Sequence, residues 1–233
     1  MKGLWEANWE ALVLLLSGDP ALWTIIGISF SVSLQAILIA APPALVLAFA
    51  LAHWRFPGRR LLISAFNTLL AFPAVVVGLT VYMLLSRNGP LGDLRLLFTQ
   101  TAMVIGQIIL CFPILVAVSH SALQAADQKA WETAITLGAK PWQAMLTLMH
   151  EVRLGLIAAI IAGFGRIIAE VGSSMMVGGN ILNYTRNIPT AIALETSKGE
   201  FAQGIALGLV LLLLALALNF ALMVFQGRGE VGW

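Results

Sequence analysis

The chain has 233 residues, of which 60% are hydrophobic and 10% charged, with a mean hydropathy of +0.93 and a net charge of +2. Soluble domains carry about 25% charged residues, so the composition predicts an all-α, polytopic membrane protein and, at this length, excludes a separate soluble catalytic domain. The positive charge is too small and too dispersed for nucleic-acid binding, and the single cysteine excludes a disulfide framework.

The first residues do not resemble a cleavable signal peptide, because Glu6 and Glu10 lie where a positively charged region would be needed. Large apolar side chains instead recur at helical spacing over residues 5–16. This pattern predicts an amphipathic helix that lies at the membrane interface, too short and too charged to span the bilayer.

Five later segments are long and apolar enough to cross a bilayer, which takes about 20 residues. The first contains Pro42 and Pro43, but splitting it there would leave too few residues for a second crossing. We therefore expect one long helix that is kinked or tilted. The five predicted spans are 22–52, 61–85, 102–122, 154–177 and 201–225.

The loops between these segments differ in their content of lysine and arginine, which are enriched on the cytoplasmic side. The tight cluster of Arg55, Arg59 and Arg60 directly follows the first span. The bias predicts an N-terminus outside the cell and a C-terminus in the cytoplasm. With this orientation the cytoplasmic side also carries Lys129, Lys140, Arg153 and Arg228, and the outer side carries Lys2, Arg87, Arg95, Arg186 and Lys198.

A short polar segment, 127–138, interrupts the apolar runs on the cytoplasmic side. Asp127 is the expected N-cap of a helix and Gly138 the left-handed residue that ends it. Lys140 and Pro141 then open a second short helix, with proline in its first turn. The exposed helix is either a docking surface or an ordinary surface helix.

Sequence motifs for catalysis are missing from the chain. There is no Gly-Lys dipeptide and hence no phosphate-binding P-loop. His150 and Glu151 could begin a zinc-protease helix, but Leu154 occupies the position of the second histidine. His53 and His120 have no partners at metal-ligand spacing. We therefore expect no catalytic residue, no metal and no cofactor in this chain, and any chemistry to belong to a partner.

The fourth span and the loop after it are unusually polar. Arg166 and Glu170 lie four residues apart, on one face of an apolar helix, where ionisable side chains mark either a transport pathway or a packing contact. The loop then contains Gly178, Gly179 and Asn180, followed by hydrogen-bonding residues over 183–190. These donors suit an oxyanion or a docking protein, and the alternative is a solvated hairpin between two spans.

Several stretches of the sequence, covering about residues 28–222, resemble the permease subunit of tungstate ABC importers. The spacing Glu132-x-Ala134-x-x-x-Gly138 is similar to the coupling segment of ABC importer permeases in general. The tail of that motif is absent, since residues 148–151 do not end in Ile-x-Leu-Pro. The stretches similar to the tungstate family are Phe72-Pro-Ala-Val-Val-Val-Gly-Leu79, Ser86-Arg-Asn-Gly-Pro-Leu-Gly92, Phe98-Thr-Gln-Thr-Ala-Met103, Glu170-Val-Gly-Ser-Ser-Met-Met-Val-Gly-Gly-Asn-Ile181, Thr185-Arg186 and Thr190-Ala-Ile-Ala-Leu-Glu-Thr-Ser-Lys-Gly-Glu200.

The resemblance implies the five-helix core of type I importers, in the plasma membrane of a prokaryote. It implies a homodimer around one translocation path, two cytoplasmic ATPase subunits that bind ATP, and an external binding protein that delivers the oxyanion. It assigns ATPase coupling to Asp127, Trp131, Glu132, Ala134 and Gly138. The translocation path or gate would include Arg166, Glu170, Gly178, Gly179 and Asn180, and the binding protein would dock on Asn88, Thr185 and Arg186.

Other functions stay open from the sequence. The same machinery could carry molybdate or vanadate, since tetrahedral oxyanions differ little, and sulfate fits the motifs less well. An ion channel or secondary transporter would need charged residues in several spans, whereas only the fourth predicted span contains them. A membrane scaffold would not need Arg166 and Glu170.

Overall fold

A computed structural model of the protein describes residues 13, 17–126 and 128–227, and every regular element in them is helical, as the composition predicts. Apart from Val13, the interfacial helix predicted over 5–16 lies outside the described residues. A short 3-10 helix covers Gly92–Leu94. The α-helices are α1 (Pro20–His53), α2 (Arg59–Leu69), α3 (Ala74–Leu85), α4 (Gln100–Ala125), α5 (Gln128–Thr136), α6 (Pro141–Glu151), α7 (Arg153–Ile168), α8 (Gly172–Gly178), α9 (Ile188–Lys198) and α10 (Phe201–Gly227).

Helix α1 is a single helix of 34 residues that continues through Pro42 and Pro43. Its start is fixed by Asp19, whose carboxylate accepts hydrogen bonds from the backbone N–H groups of Ala21 at 2.7 Å and Leu22 at 3.1 Å. Such an N-cap satisfies donors that the helix itself leaves unpaired. This is the one long helix expected from the sequence.

The segment predicted as one span over 61–85 is broken in the structure. Helices α2 and α3 meet at an angle of 102°. Pro73, at the N-cap of α3, has no N–H to continue α2, and its ring disfavours a helical conformation at Phe72. The apolar length of this segment does not reveal the bend, and the bent pair can still form a single span.

The segment predicted as one span over 154–177 is also interrupted. Helix α7 ends at Ile168 and α8 begins at Gly172. Between them, the Glu170 carboxylate accepts a hydrogen bond from the Gly172 N–H at 2.8 Å, which stabilises the start of a new helix. At the N-terminal end of α7, α6 and α7 form a second bent pair, with an angle of 73° between the two helices.

Helix α9 lies where the sequence predicted only a polar loop. Asn187 accepts a hydrogen bond from the Thr190 N–H at 3.1 Å, and the Thr190 hydroxyl accepts one from the Asn187 N–H at 3.1 Å. This reciprocal capping box starts the helix, with Pro189 in its first turn. The backbone N–H of Ile188 donates to the Ser29 hydroxyl at 2.6 Å, which fixes α9 to α1.

Helix α4 lies at the centre of the molecule and packs against α1, α2, α3, α7 and α8. Its inward residues are fully buried, among them Met103, Cys111 and Leu115. Among the described residues, three helices are long and apolar enough to cross a membrane, and up to five crossings result if each bent pair is one span. The fold is therefore a membrane bundle built around α4, with α5 and α6 connecting α4 to α7.

Candidate coupling surface and transport site

Helix α5 ends as the sequence predicted. Gly138 has a positive φ of 88°, and no heavy atom lies near the position that a Cβ would take there. The Gly138 N–H donates to the Ile135 carbonyl and the Ala139 N–H to the Ala134 carbonyl, both at 3.0 Å. This pair of bonds is a Schellman motif, which favours glycine at the left-handed position. The predicted N-cap, Asp127, lies outside the described residues.

Trp131 attaches α5 to the last turns of α1. Its ring lies 5.5 Å from the Phe49 ring and 5.4 Å from the His53 ring, and Phe49 and His53 stack at 4.3 Å. Leu123 of α4 and Leu148 of α6 complete this apolar cluster. Trp131, predicted as a coupling residue, therefore faces the body of the protein and positions α5.

The remaining surface of α5, the turn after it and the neighbouring α6 are exposed and partly apolar. Glu132 is exposed, Ala134 is half-buried, and Leu137 is 82% exposed. Ile135, Trp142 and Leu146 add further exposed apolar area. We call this surface, from Glu132 to Leu146, the coupling face. Exposed apolar patches of this kind mark interaction sites in proteins.

Arg166 and Glu170 form the ion pair that their spacing predicted, although Glu170 lies just beyond the end of α7. The Glu170 side chain is only 9% exposed, whereas the Arg166 side chain is 41% exposed. The buried carboxylate thus has two partners, the Arg166 guanidinium and the Gly172 N–H. Arg166 reaches from this buried group towards the surface.

The breaks in the two interrupted segments lie side by side. A Cβ on Gly172 would come within 2.7 Å of the Val75 side chain, and one on Gly78 within 2.7 Å of the Ser173 Cα. Glycine at both positions lets α3 and α8 approach closely. The outward side of this contact is apolar, and we call it the gate face; its exposed residues are Val75, Val76, Leu79, Met83, Val171 and Met175.

Gly178, Gly179 and Asn180, predicted for the path or gate, form the turn that ends α8. Gly178 is buried, and a Cβ there would come within 2.8 Å of the Met103 sulfur. Gly179 and Asn180 both have positive φ, 68° and 52°. The Phe98 N–H donates to the Val177 carbonyl at 2.8 Å. The turn is therefore held against the start of α4, at one end of the bundle.

Thr185, predicted as a docking residue, is fully buried inside this loop. Its hydroxyl donates to the Gly178 carbonyl at 2.6 Å and accepts from the Ile181 N–H at 2.9 Å. Both bonds shape the loop, so the hydroxyl is not presented to a partner. Arg186 is half-buried and donates to the Asn180 carbonyl at 3.5 Å.

Asn88 is exposed in the connection between α3 and α4. The loop after α8 reaches the same end of the bundle, because the Gln100 side-chain amide donates to the Tyr184 carbonyl at 2.7 Å. The predicted docking residues therefore share one end of α4. The coupling face lies at the other end, after α4 has finished at Ala125.

Two polar side chains in the bundle were missed from the sequence. Glu195 in α9 is buried and pairs with Lys198 at 3.0 Å. Gln107 in α4 is buried and donates to the Ile167 carbonyl at 3.3 Å. Glu195 and Lys198 are an acid and a base three residues apart, a spacing that could have indicated a helix over 188–198 from the sequence.

Among the described residues, no cluster of His, Cys, Asp and Glu could hold a metal ion.

Residues 44–228 match the model of the family described as "Binding-protein-dependent transport system inner membrane component". The chain is 42% identical over 211 residues to the tungstate uptake system permease protein TupB of Campylobacter jejuni, covering 91% of this chain and 88% of that protein. It is 31% identical over 192 residues to the molybdenum transport system permease protein ModB of Escherichia coli K12, covering 78% and 83%.

A solved structure shows the same fold. A chain of a bacterial alginate ABC transporter, crystallised in complex with an alginate pentasaccharide-bound periplasmic protein, superposes with a TM-score of 0.74. The sequences are 16% identical, and the match covers 94% of this chain and 82% of that one. At this identity the likeness concerns the fold, which is that of an ABC importer permease.

Proposed function

This chain belongs to the family of binding-protein-dependent transport system inner membrane components, and from that membership we propose that it forms the translocation path of an ATP-driven importer for tungstate. It is a membrane permease subunit and not itself a catalyst. The 42% identity with a tungstate uptake permease over 91% of the chain is the observation that carries the proposed cargo. Molybdate is the second candidate, because a molybdenum permease is 31% identical.

We propose that two cytoplasmic ATPase subunits dock on the coupling face. The exposed Glu132 and Leu137 supply charge and apolar area there. Trp131 fastens the same helix to α1, so that a force on α5 reaches the bundle. ATP bound between the two ATPases would draw two such helices together and turn the permease from inward-facing to outward-facing.

We propose further that two copies of this chain enclose the path, with the gate face of each copy towards the other. Its six exposed apolar side chains suit a contact that opens and closes without strong polar bonds. Glu170 holds the break between α7 and α8, and Arg166 faces the partner copy rather than the open path. A path without a deep charged site releases a dianion readily.

The cargo is tested by competition for uptake. Cells that express this chain with its ATPase and an external binding protein should take up radiolabelled tungstate. Excess unlabelled tungstate should abolish the uptake, molybdate should compete more weakly, and sulfate should leave it unchanged. Titration of the binding protein with the three anions should give the same order. Stronger competition by molybdate than by tungstate would reassign the cargo.

The orientation is tested by labelling of single cysteines in intact cells. Asn88→Cys and Glu200→Cys should react with a membrane-impermeant thiol reagent, because both positions are exposed and are expected to lie outside. Lys129→Cys should react only after the membrane is permeabilised. The native Cys111 is fully buried and provides an unlabelled background. Labelling of the 129 position from outside would contradict both the orientation and the cytoplasmic docking of the ATPases.

A further inference from the structure

We propose that Arg59 is a positioning residue that fastens the start of α2 to the end of α1 and so relays movement of the coupling helix α5 to the gate face. The inference deepens the proposed function and rests on it. Arg59 was noted from the sequence only as part of a basic cluster on the cytoplasmic side. In the structure its side chain reaches back to the backbone at the end of α1.

The Arg59 guanidinium caps the C-terminal end of α1. Its Nε donates to the Leu51 carbonyl and its Nη2 donates to the Ala52 carbonyl at 3.3 Å. Carbonyls in the last turn of a helix have no partner within the helix, and a positive charge there also interacts favourably with the helix dipole. Two hydrogen bonds of the last turn of α1 therefore come from the first residue of α2.

The same end of α1 carries the contact with α5. Phe49 and His53 hold the Trp131 ring, whereas Leu51 and Ala52 accept the bonds from Arg59. A cavity of about 530 Å³ lies beside these groups, with Arg59, Trp131 and Glu132 in its wall. The end of α1 thus joins α5 and α2, and the open space beside it allows their separation to change.

Helix α2 leads from this junction to the gate face. It runs from Arg59 to Leu69, and α3 begins at Ala74 after the sharp bend. A helix moves as a rigid rod, so a shift imposed at its first residue reaches the bend. There α3 packs on α8, and these two helices, together with Val171 at the N-cap of α8, carry the residues of the gate face.

The test measures coupling in the complete complex, reconstituted in proteoliposomes with the ATPase and the binding protein. The measured quantity is tungstate taken up per ATP hydrolysed. In Arg59→Ala we expect a fall of about tenfold, which corresponds to about 1.4 kcal/mol, with complex yield and ATP hydrolysis retained. Arg59→Lys should be intermediate, because an ammonium group lacks the planar fork that reaches two carbonyls. Arg60→Ala removes the same charge from the exposed neighbouring residue and should leave the ratio of uptake to ATP hydrolysis unchanged.

An unchanged ratio in Arg59→Ala, or an equal fall in Arg60→Ala, would overturn the proposal. If Arg59→Ala fails to assemble, Arg59→Lys decides, since a reduced ratio supports the relay and a wild-type ratio overturns it. The proposed function is judged separately on the wild-type complex. ATP hydrolysis without uptake by the wild-type complex would contradict the import function. Normal uptake by the wild-type complex together with a normal ratio in Arg59→Ala would contradict only the relay through Arg59.

Discussion

Replacement of Arg166 by leucine is expected to reduce the yield of assembled protein strongly. The Glu170 carboxylate, only 9% exposed, would lose its counterion and keep one hydrogen bond, from the Gly172 N–H. An unpaired charge at a buried site costs about 3 to 5 kcal/mol. Glu170→Leu should cost less, because Arg166 is 41% exposed and can be solvated. The measurement is the yield of folded protein together with its thermal stability in detergent.

The double variant separates structure from pathway. Replacement of both residues by leucine removes both charges and should restore assembly to near the wild-type level. Since we assign the pair to the gate region and not to the path, tungstate uptake should recover as well. Glu170→Gln is the matched control for Glu170→Leu, because the glutamine amide oxygen can still accept the hydrogen bond from the Gly172 N–H while the negative charge is lost. A double variant that assembles well and does not transport would place the pair on the path.

Replacement of Gly138 by valine is expected to reduce coupled transport strongly while the protein still inserts. A β-branched residue at a φ of 88° strains the backbone at a cost of about 1 to 2 kcal/mol, which redirects the end of α5. Glu132→Lys should have the same effect through charge reversal on the coupling face. Uptake and ATP hydrolysis in the reconstituted complex are the measurements, and we expect uptake to fall by about tenfold or more.

Matched controls exist at the other end of the bundle. Gly199 has a φ of 84°, an open Cβ position and the same pair of helix-ending bonds, so Gly199→Val introduces equal strain away from the coupling face. Glu200→Lys likewise reverses an exposed charge there. Both controls should retain ATP hydrolysis coupled to uptake. Normal coupling in Glu132→Lys and Gly138→Val would remove α5 from the mechanism.

The class of fold and several local features were predictable from the sequence, because they depend on short-range chemistry. The helix that ends at Gly138 is closed by bonds from Gly138 to Ile135 and from Ala139 to Ala134, and Arg166 pairs with Glu170 one turn away. Apolar length sufficed to predict α1, despite its two prolines. Each of these features is set by residues of one continuous segment of chain, without contacts to distant segments.

The breaks and the contacts between them were not predictable in the same way. Pro73 indicates in the sequence that a helix break is possible between α2 and α3. The bend angle and the close approach of Val75 to Gly172, however, depend on tertiary packing. Helix α9 was missed because its capping residues, Asn187 and Thr190, also fit a polar loop. The contacts of Trp131 were not predictable for a similar reason, since only the fold shows that Phe49 and His53 lie beside it.

The most direct test of an ATP-driven import function measures tungstate uptake and ATP hydrolysis together in proteoliposomes that contain this chain and its ATPase. We expect uptake only when ATP and the loaded binding protein are both supplied on their proper sides, with hydrolysis stimulated by the loaded binding protein. Uptake that follows the tungstate gradient without ATP would contradict the account, because it would make this chain a channel or a secondary transporter.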